Sequence, residues 1–307
     1  MSTEPASYFR LIDPKALLKL GRLELIARHV VEGFVSGKHR SPYKGFSVEF
    51  AEHREYTPGD DPRDLDWRVY ARSDRYYVKQ YEEETNLRAY VLLDASGSMT
   101  YEGQTVSKFR YAQFLAATLS HLMLHQQDAV GLVTFDDDVK RYIPPRSRPS
   151  HLRILLEELE ATEPGGETSL SNVMHHVAER IRRRGLVILI SDCFDDVDAL
   201  ISGLHHFRHR RHEVILLHVM AHEELTFPFR TWSQFRCLEA PSLRVALDPA
   251  SVRDAYLRRV SAFLAELKRR CGEMQIDYVP LDTSTPYDDA LVRYLAFRAA
   301  WGRARRF

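Results

Sequence analysis

The sequence predicts an α/β fold in which a mostly parallel sheet is covered by helices on both faces. Short apolar runs, typical of strands buried on both faces, recur at residues 89–93, 186–190 and 213–220. Between these runs lie segments whose apolar residues recur at helical spacing. Because strands that alternate with helices usually pair in parallel, the pattern favours a parallel sheet.

The N-terminal part is expected to be an extension that packs on the main domain. Asp13 and Pro14 suit the cap and the first helical position, and apolar residues then recur at helical spacing. Alternation of apolar and polar residues predicts strands at 46–50 and 76–81. A turn-rich stretch and a short helical turn separate the two strands. The extension is therefore predicted to contain both helical and β structure.

The main domain reads as a regular succession of strands and helices. Apolar or alternating runs predict its strands, which cover residues 89–93, 129–135, 139–143, 186–192, 213–220 and 275–281. Apolar residues at helical spacing predict its helices, which cover residues 108–126, 152–159, 169–184, 197–209, 249–271 and 287–298. The predicted organisation is an extension at 1–87, the main domain at 88–300 and a basic tail at 301–307.

Two hairpins interrupt the alternation of strands and helices. The acidic turn 136–138 reverses the chain between two adjacent strand patterns, which predicts one antiparallel strand at the edge of the sheet. Two shorter β patterns, at 235–238 and 243–245, predict a second hairpin inserted at a sheet edge.

Composition argues against several classes of protein. With 43 basic and 43 acidic residues, no overall charge favours nucleic acid or an anionic membrane. The three cysteines match no zinc-binding spacing and give no disulfide framework, which favours a reducing compartment. No apolar run approaches the ~18 residues of a membrane-spanning helix, and the N-terminus does not resemble a signal peptide. We expect a cytoplasmic protein that binds no nucleic acid and does not insert into a membrane.

A cluster of oxygen-bearing side chains follows the first buried strand of the main domain. Asp94, Ser96 and Ser98 alternate with small residues in a tight turn, so all three can point at one small volume. Oxygen ligands suit a hard divalent cation, Mg²⁺ or Mn²⁺ rather than zinc. The carboxyl ends of strands are also where open α/β sheets hold ligands. The alternative is that Asp94 and Ser96 only cap a following helix.

Two later segments favour the metal interpretation. The Gly-rich loop 163–170 presents Thr168 at the start of a helical pattern, and the strand at 186–192 ends in Asp192. The order Asp-x-Ser-x-Ser, then Thr, then Asp resembles the metal-ion-dependent adhesion site of von Willebrand factor A domains. The resemblance implies a Rossmann-like fold and bound Mg²⁺, with Mn²⁺ or Ca²⁺ as alternatives. The metal ligands that it implies are Asp94, Ser96, Ser98, Thr168 and Asp192.

A second resemblance covers nearly the whole chain. Residues 56–68 (YTPGDDPRDLDWR) and 77–84 (YVKQYEEE) resemble the hallmark stretch of a bacterial family known as domain of unknown function 58. The resemblance implies a von Willebrand factor A-like domain with a divalent-cation site. Members of this family are often encoded beside MoxR-type AAA+ ATPases. This implies an adaptor that helps such an ATPase to assemble or activate other proteins.

Two functions remain open from the sequence. The first is a non-enzymatic protein-binding module, in which a Glu or Asp of a partner protein completes the coordination of the metal. The second is a Mg²⁺- or Mn²⁺-dependent hydrolase, such as a phosphatase, which needs a base or a second metal to activate water. Asp136, Asp195 and Asp196 lie near strand ends and are its candidates. The residues around Ser96 do not match the GxSxG motif of serine hydrolases.

Overall fold

The computed structural model describes residues 48–57, 66–73, 75–83, 87–240 and 242–304. The described residues fall into two compact units, the first within residues 34–86 and the second from residue 87 onward. The helix predicted after Pro14 and the end of the predicted basic tail, residues 305–307, lie outside the described residues.

The first unit contains an antiparallel strand pair. β1 (Val48–Glu55) pairs with β2 (Tyr77–Glu83), and α1 (Trp67–Ser73) lies between them in the sequence. The rings of Tyr70 and Tyr76 stack with their centroids 4.5 Å apart, which ties the helix to the start of β2. Both strands predicted for the extension are confirmed, and β1 continues five residues beyond its predicted end.

In the second unit, six of the described strands form one sheet. These strands are β3 (Arg88–Asp94), β4 (Ala129–Phe135), β5 (Val139–Arg146), β6 (Leu186–Ser191), β7 (Glu213–Met220) and β10 (Asp277–Asp282). Their spatial order is β10, β7, β6, β3, β4, β5, and every neighbouring pair is parallel except β4 with β5. The predicted α/β fold, with a mostly parallel sheet and one antiparallel edge strand, is confirmed.

Helices cover both faces of this sheet. They are α2 (Lys108–His125), α3 (His151–Ala161), α4 (Leu170–Arg180), α5 (Val197–His209), α6 (His222–Thr226), α7 (Pro249–Glu273) and α8 (Tyr287–Ala304). On one face, α4, α5 and α7 pack into a core that includes Leu92 and Leu189. The alternate residues Val91 and Leu93 are also fully buried, and α2 packs against β3 there. None of the helices in the described ranges has the length and apolar character needed to cross a membrane.

In the second unit, three predicted elements differ from the observed ones by three residues or more at one end. The helix predicted to reach residue 184 ends at Arg180, because Ile181 leaves helical geometry and is buried in the core. The strand β5 is three residues longer than predicted and contains Pro144 and Pro145, which an edge strand tolerates because it has only one neighbour. The last helix continues to Ala304, into the predicted basic tail.

The second predicted hairpin exists but does not join the main sheet. β8 (Ser233–Arg236) and β9 (Arg244–Leu247) pair antiparallel as a separate two-stranded sheet. Phe235 packs in a cluster of aromatic rings with Phe227, Phe229 and Tyr256. The hairpin is held by this cluster rather than by strand pairing, which explains why it is not an edge extension of the main sheet.

Asp128, just before β4, gives the metal-free protein a pH-dependent stability. The residue is buried, its Oδ1 accepts the Leu87 N–H at 3.1 Å, and its Oδ2 has no partner among the described residues. Burial raises the pKa of Asp128 from 3.8 to about 7. The folded state therefore keeps a proton that the unfolded chain releases, and stability falls as the pH rises from about 4 to about 7.

The variant Asp128→Asn should lose this pH dependence because its side chain is neutral at every pH. We expect it to be more stable than the wild type at pH 8, by on the order of 3 kcal/mol, and about equally stable at pH 4. Urea denaturation of both proteins at the two pH values measures the difference. An equal effect at pH 4 and pH 8 would contradict the assigned titration.

Candidate metal centre

The structure brings two of the predicted carboxylates together at the carboxyl edge of the main sheet. β3 and β6 are adjacent and parallel, with Leu93 opposite Ile190, so Asp94 lies level with Ser191. The Ser191 hydroxyl donates to Asp94 Oδ2 at 2.5 Å. Asp192 follows directly, and its charge acts on Asp94. The ends of these two strands therefore meet at one edge of the sheet.

Ser96 and Ser98 also lie in this volume. Asp94 Oδ1 accepts the Ser96 N–H at 2.9 Å, and the hydroxyl oxygens of Ser96 and Ser98 are 3.1 Å apart. All three side chains are buried. Residues Gly97–Thr100 form a 3₁₀ helix, but the Ser96 side chain makes no capping hydrogen bond to it. Helix capping therefore does not explain why Ser96 stands here.

The loop that carries Thr168 is docked onto the loop that carries the serines. The Gly165 N–H donates to the Ala95 carbonyl at 2.8 Å, and the Gly97 N–H donates to the Gly166 carbonyl at 2.9 Å. Gly166 has φ = +86°, a backbone conformation that favours glycine. A Cβ at Gly97 would lie 2.9 Å from the Gly166 carbonyl oxygen, so this approach requires glycine. The half-buried Thr168 follows two residues after Gly166.

Burial and a like charge make the carboxylate of Asp94 unfavourable without a cation. Asp94 is 0% exposed, and it accepts hydrogen bonds from neutral groups of Ser96 and Ser191. Burial, reinforced by the charge of Asp192, raises the pKa of Asp94 to about 7, although the hydrogen bonds act in the opposite direction. A divalent cation at this position would offset the charge that the fold holds out of water.

Asp192 has a cationic partner of its own. Its Oδ2 accepts the Lys108 ammonium at 2.6 Å, and its Oδ1 accepts the Phe194 N–H at 3.1 Å. The same ammonium donates to Glu224 Oε1 at 2.7 Å. Lys108 is buried, yet the two carboxylates raise its pKa above the usual value. Lys108 is therefore a fixed positive charge beside the predicted metal ligands.

Comparison with known proteins places the chain in a family. The family model described as "Protein of unknown function DUF58" matches residues 52–264, well over half of the chain. The chain belongs to this family. Relatives described as uncharacterised proteins, from Mycobacterium bovis and Mycobacterium tuberculosis, are each 27% identical over 296 residues. The match covers 93% of this chain and 90% of each relative.

Two crystal structures from Bacteroides are similar to this DUF58 protein. An aerotolerance-related membrane protein of Bacteroides fragilis matches with a TM-score of 0.43 and 17% identity, over 68% of this chain and 98% of that chain. The conserved hypothetical protein BatB of Bacteroides thetaiotaomicron matches with a TM-score of 0.42 and 17% identity, over 70% of this chain and 99% of that chain.

The donor atoms of this DUF58 protein fit a hard cation. They are oxygen atoms of carboxylates and hydroxyls, which suit Mg²⁺. Adjacent ligands of an octahedral Mg²⁺ lie ~3.0 Å apart for metal–oxygen distances of ~2.1 Å. The 3.1 Å between the hydroxyl oxygens of Ser96 and Ser98 agrees with that spacing. Among the described residues, no group of three or more His, Cys, Asp or Glu side chains is arranged to hold a metal. A metal site at this edge of the sheet therefore depends on hydroxyl oxygens as ligands, in addition to carboxylates.

Three contributors to this site are not assigned by the sequence. The sequence places Ser191 only within a strand, although parallel register puts it level with Asp94. It places Lys108 only at the start of a helix. The helix dipole disfavours a cation there, and this unfavourable position is a signal that could have indicated a special role for Lys108. Glu239 lies in the β8–β9 hairpin, and its Oε1 accepts the Thr168 hydroxyl at 2.5 Å. No pattern in the sequence indicates that contact.

Proposed function

We propose that this DUF58 protein is a protein-binding module that contacts its partner through a divalent cation, Mg²⁺ in the first instance. The observation that carries the proposal is the buried Asp94 carboxylate, packed beside Asp192 and two serine hydroxyls at the carboxyl edge of the sheet. This arrangement supports a metal-ion-dependent adhesion site of the von Willebrand factor A type. The cation would be held by Asp94, Ser96, Ser98 and Thr168, with Asp192 beside them.

The charges of the site explain why a partner would supply a carboxylate. Three of the ligands are neutral hydroxyls, and Asp192 is paired with the Lys108 ammonium, which it shares with Glu224. Asp94 alone would leave the cation with uncompensated positive charge. Mg²⁺ also keeps several water ligands in most proteins, so a coordination position remains for an incoming oxygen. A Glu or Asp on a partner protein fits that position in charge and in ligand type.

The proposed role in the cell is that of an adaptor for a MoxR-type AAA+ ATPase. Its support is the resemblance to the DUF58 family, and the family membership of the chain strengthens that resemblance. In this role the metal site would capture the protein that the ATPase assembles or activates.

The hydrolase alternative has less support from the site. Its three candidate carboxylates all make contacts that hold the fold together: Asp136 pairs with Lys140 at 2.7 Å. Asp195 accepts the Leu170 N–H at 3.0 Å, and Asp196 caps α5 through the Ala199 N–H at 3.0 Å. A general base must reach the water that it activates.

The test compares protein capture with and without the cation. The full chain is immobilised and exposed to a bacterial lysate in Mg²⁺ or in EDTA, alongside Asp94→Asn and the control Asp254→Asn, which changes an exposed residue of α7. We expect proteins that are retained by the wild type and the control in Mg²⁺, and that are not retained in EDTA or by Asp94→Asn. Equal retention in EDTA would contradict the proposal. If the wild type hydrolysed generic phosphoesters with Mg²⁺ and Asp94→Asn did not, the hydrolase would be favoured.

A further inference from the structure

The tip of the β8–β9 hairpin lies directly on the candidate metal centre. Glu239 Oε1 accepts the Thr168 hydroxyl at 2.5 Å. A Cβ at Gly97 would lie 2.8 Å from the Leu238 carbonyl oxygen, so the hairpin tip touches the loop between Ser96 and Ser98. The hairpin therefore contacts both loops that carry the predicted hydroxyl ligands.

The position of Glu239 is fixed from both ends of the tip. The Cys237 N–H donates to the Leu243 carbonyl at 3.0 Å, which closes the turn, and the Ala240 N–H donates to Cys237 Sγ at 3.4 Å. At the base of the hairpin, the ring of Phe235 stacks 5.9 Å from Phe227. The Glu239 carboxylate thus lies in a hydrogen-bonded segment, residues 237–240, of an anchored hairpin.

We propose that Glu239 is a further ligand of the cation, supplied by the chain itself; the inference rests on the proposed function. A cation bound beside Thr168 would face the Glu239 carboxylate, because Oε1 is already in contact with the threonine hydroxyl. The charges are also favourable, because the Glu239 carboxylate would add a second negative charge to that of Asp94 beside the divalent cation.

The consequence is that the hairpin tip covers the position that the partner's carboxylate needs. A tethered ligand acts at an effective concentration of about millimolar or more, so free carboxylates in solution compete poorly with it. The partner must therefore displace Glu239, through further contacts that compensate for its loss. Glu239 then makes the capture of partner proteins selective, because a single acidic side chain without further contacts does not displace Glu239 from the cation.

The experiment is a calorimetric titration of the full chain with MgCl₂. Glu239→Gln keeps the shape and the oxygen that accepts from Thr168 but removes the charge. Glu167→Gln is the matched control, since it removes an exposed charge one residue before Thr168. We expect Glu239→Gln to bind Mg²⁺ about tenfold more weakly than the wild type, because site affinity follows the charge of the ligands. The control should stay within about twofold.

Hydrogen exchange gives an independent readout on the same proteins. Added Mg²⁺ should slow exchange of the amides in residues 237–240 of the wild type and of Glu167→Gln, and leave Glu239→Gln unchanged. Equal Mg²⁺ affinity of Glu239→Gln and the wild type would overturn the role of Glu239 and leave the metal site intact. Absence of Mg²⁺ binding by the wild type would overturn both proposals. Thermal melts confirm that the variants are folded.

Discussion

Lys108→Met is expected to destabilise the metal-free protein by about 3–5 kcal/mol, the cost of breaking a buried ion pair on one side only. The ammonium lies 2.6 Å from Asp192 and 2.7 Å from Glu224, and the side chains of Lys108 and Asp192 are each 3% exposed. Without the ammonium, Asp192 loses this cationic partner beside Asp94. Urea denaturation of the purified chain in EDTA measures the loss.

Lys140→Met is the matched control for this prediction. Lys140 pairs with Asp136 at a similar distance, 2.7 Å, but its side chain is 36% exposed. Because exposed ion pairs contribute about 1 kcal/mol or less, this variant should lose little stability. Equal losses of stability in the two variants would contradict the role of Lys108 as the cation that stabilises the buried Asp192 carboxylate. Added Mg²⁺ should recover more stability in Lys108→Met than in the wild type, because it replaces the missing positive charge.

Asp94→Asn is expected to weaken Mg²⁺ binding by about 100-fold or more, and Thr168→Ala by much less. Asp94 supplies a formal charge to the cation, whereas Thr168 supplies a neutral oxygen. The asparagine is used because Asp94 is fully buried, so an alanine would leave a cavity and would deprive the Ser191 hydroxyl of its acceptor. Calorimetric titration with MgCl₂ gives the order of the two affinities.

The stability of Asp94→Asn separates loss of the metal from loss of the fold. The change removes a buried charge next to Asp192 but also weakens one of the hydrogen bonds from Ser96 and Ser191. These effects oppose each other, so the free energy of unfolding without metal should stay within about 1 kcal/mol of the wild type. Similar Mg²⁺ affinities of Asp94→Asn and the wild type would contradict the assigned ligand.

Local patterns in the sequence predict the parts of the site that local structure determines. Asp94, Ser96 and Ser98 follow one another in a single turn, and the end of an apolar run marks Asp192. The alternation of strands and helices predicts that the strands of the main domain pair in parallel. In the structure these residues lie at one edge of the sheet, because the neighbouring parallel strands β3 and β6 end there.

The charge balance of the site depends on contacts that are distant in the sequence. Lys108 meets Asp192 across 84 residues and Glu224 across 116, and Thr168 meets Glu239 across 71. No periodicity links such positions, because their contact depends on how the hairpin and helices pack. The sequence predicts the hairpin as an element, but its place over Thr168 depends on packing, including the stacking of Phe227 and Phe235 at its base.

The most direct test of the account is a crystal structure of the full chain grown with Mn²⁺, with anomalous diffraction recorded near the manganese edge. Mn²⁺ suits the same oxygen ligands as Mg²⁺ and is located without ambiguity by its anomalous signal. We predict one strong anomalous peak within bonding distance of oxygen atoms of Asp94, Ser96 and Ser98. A well-ordered site without a peak, or a peak bound only elsewhere on the chain, would contradict the central claim.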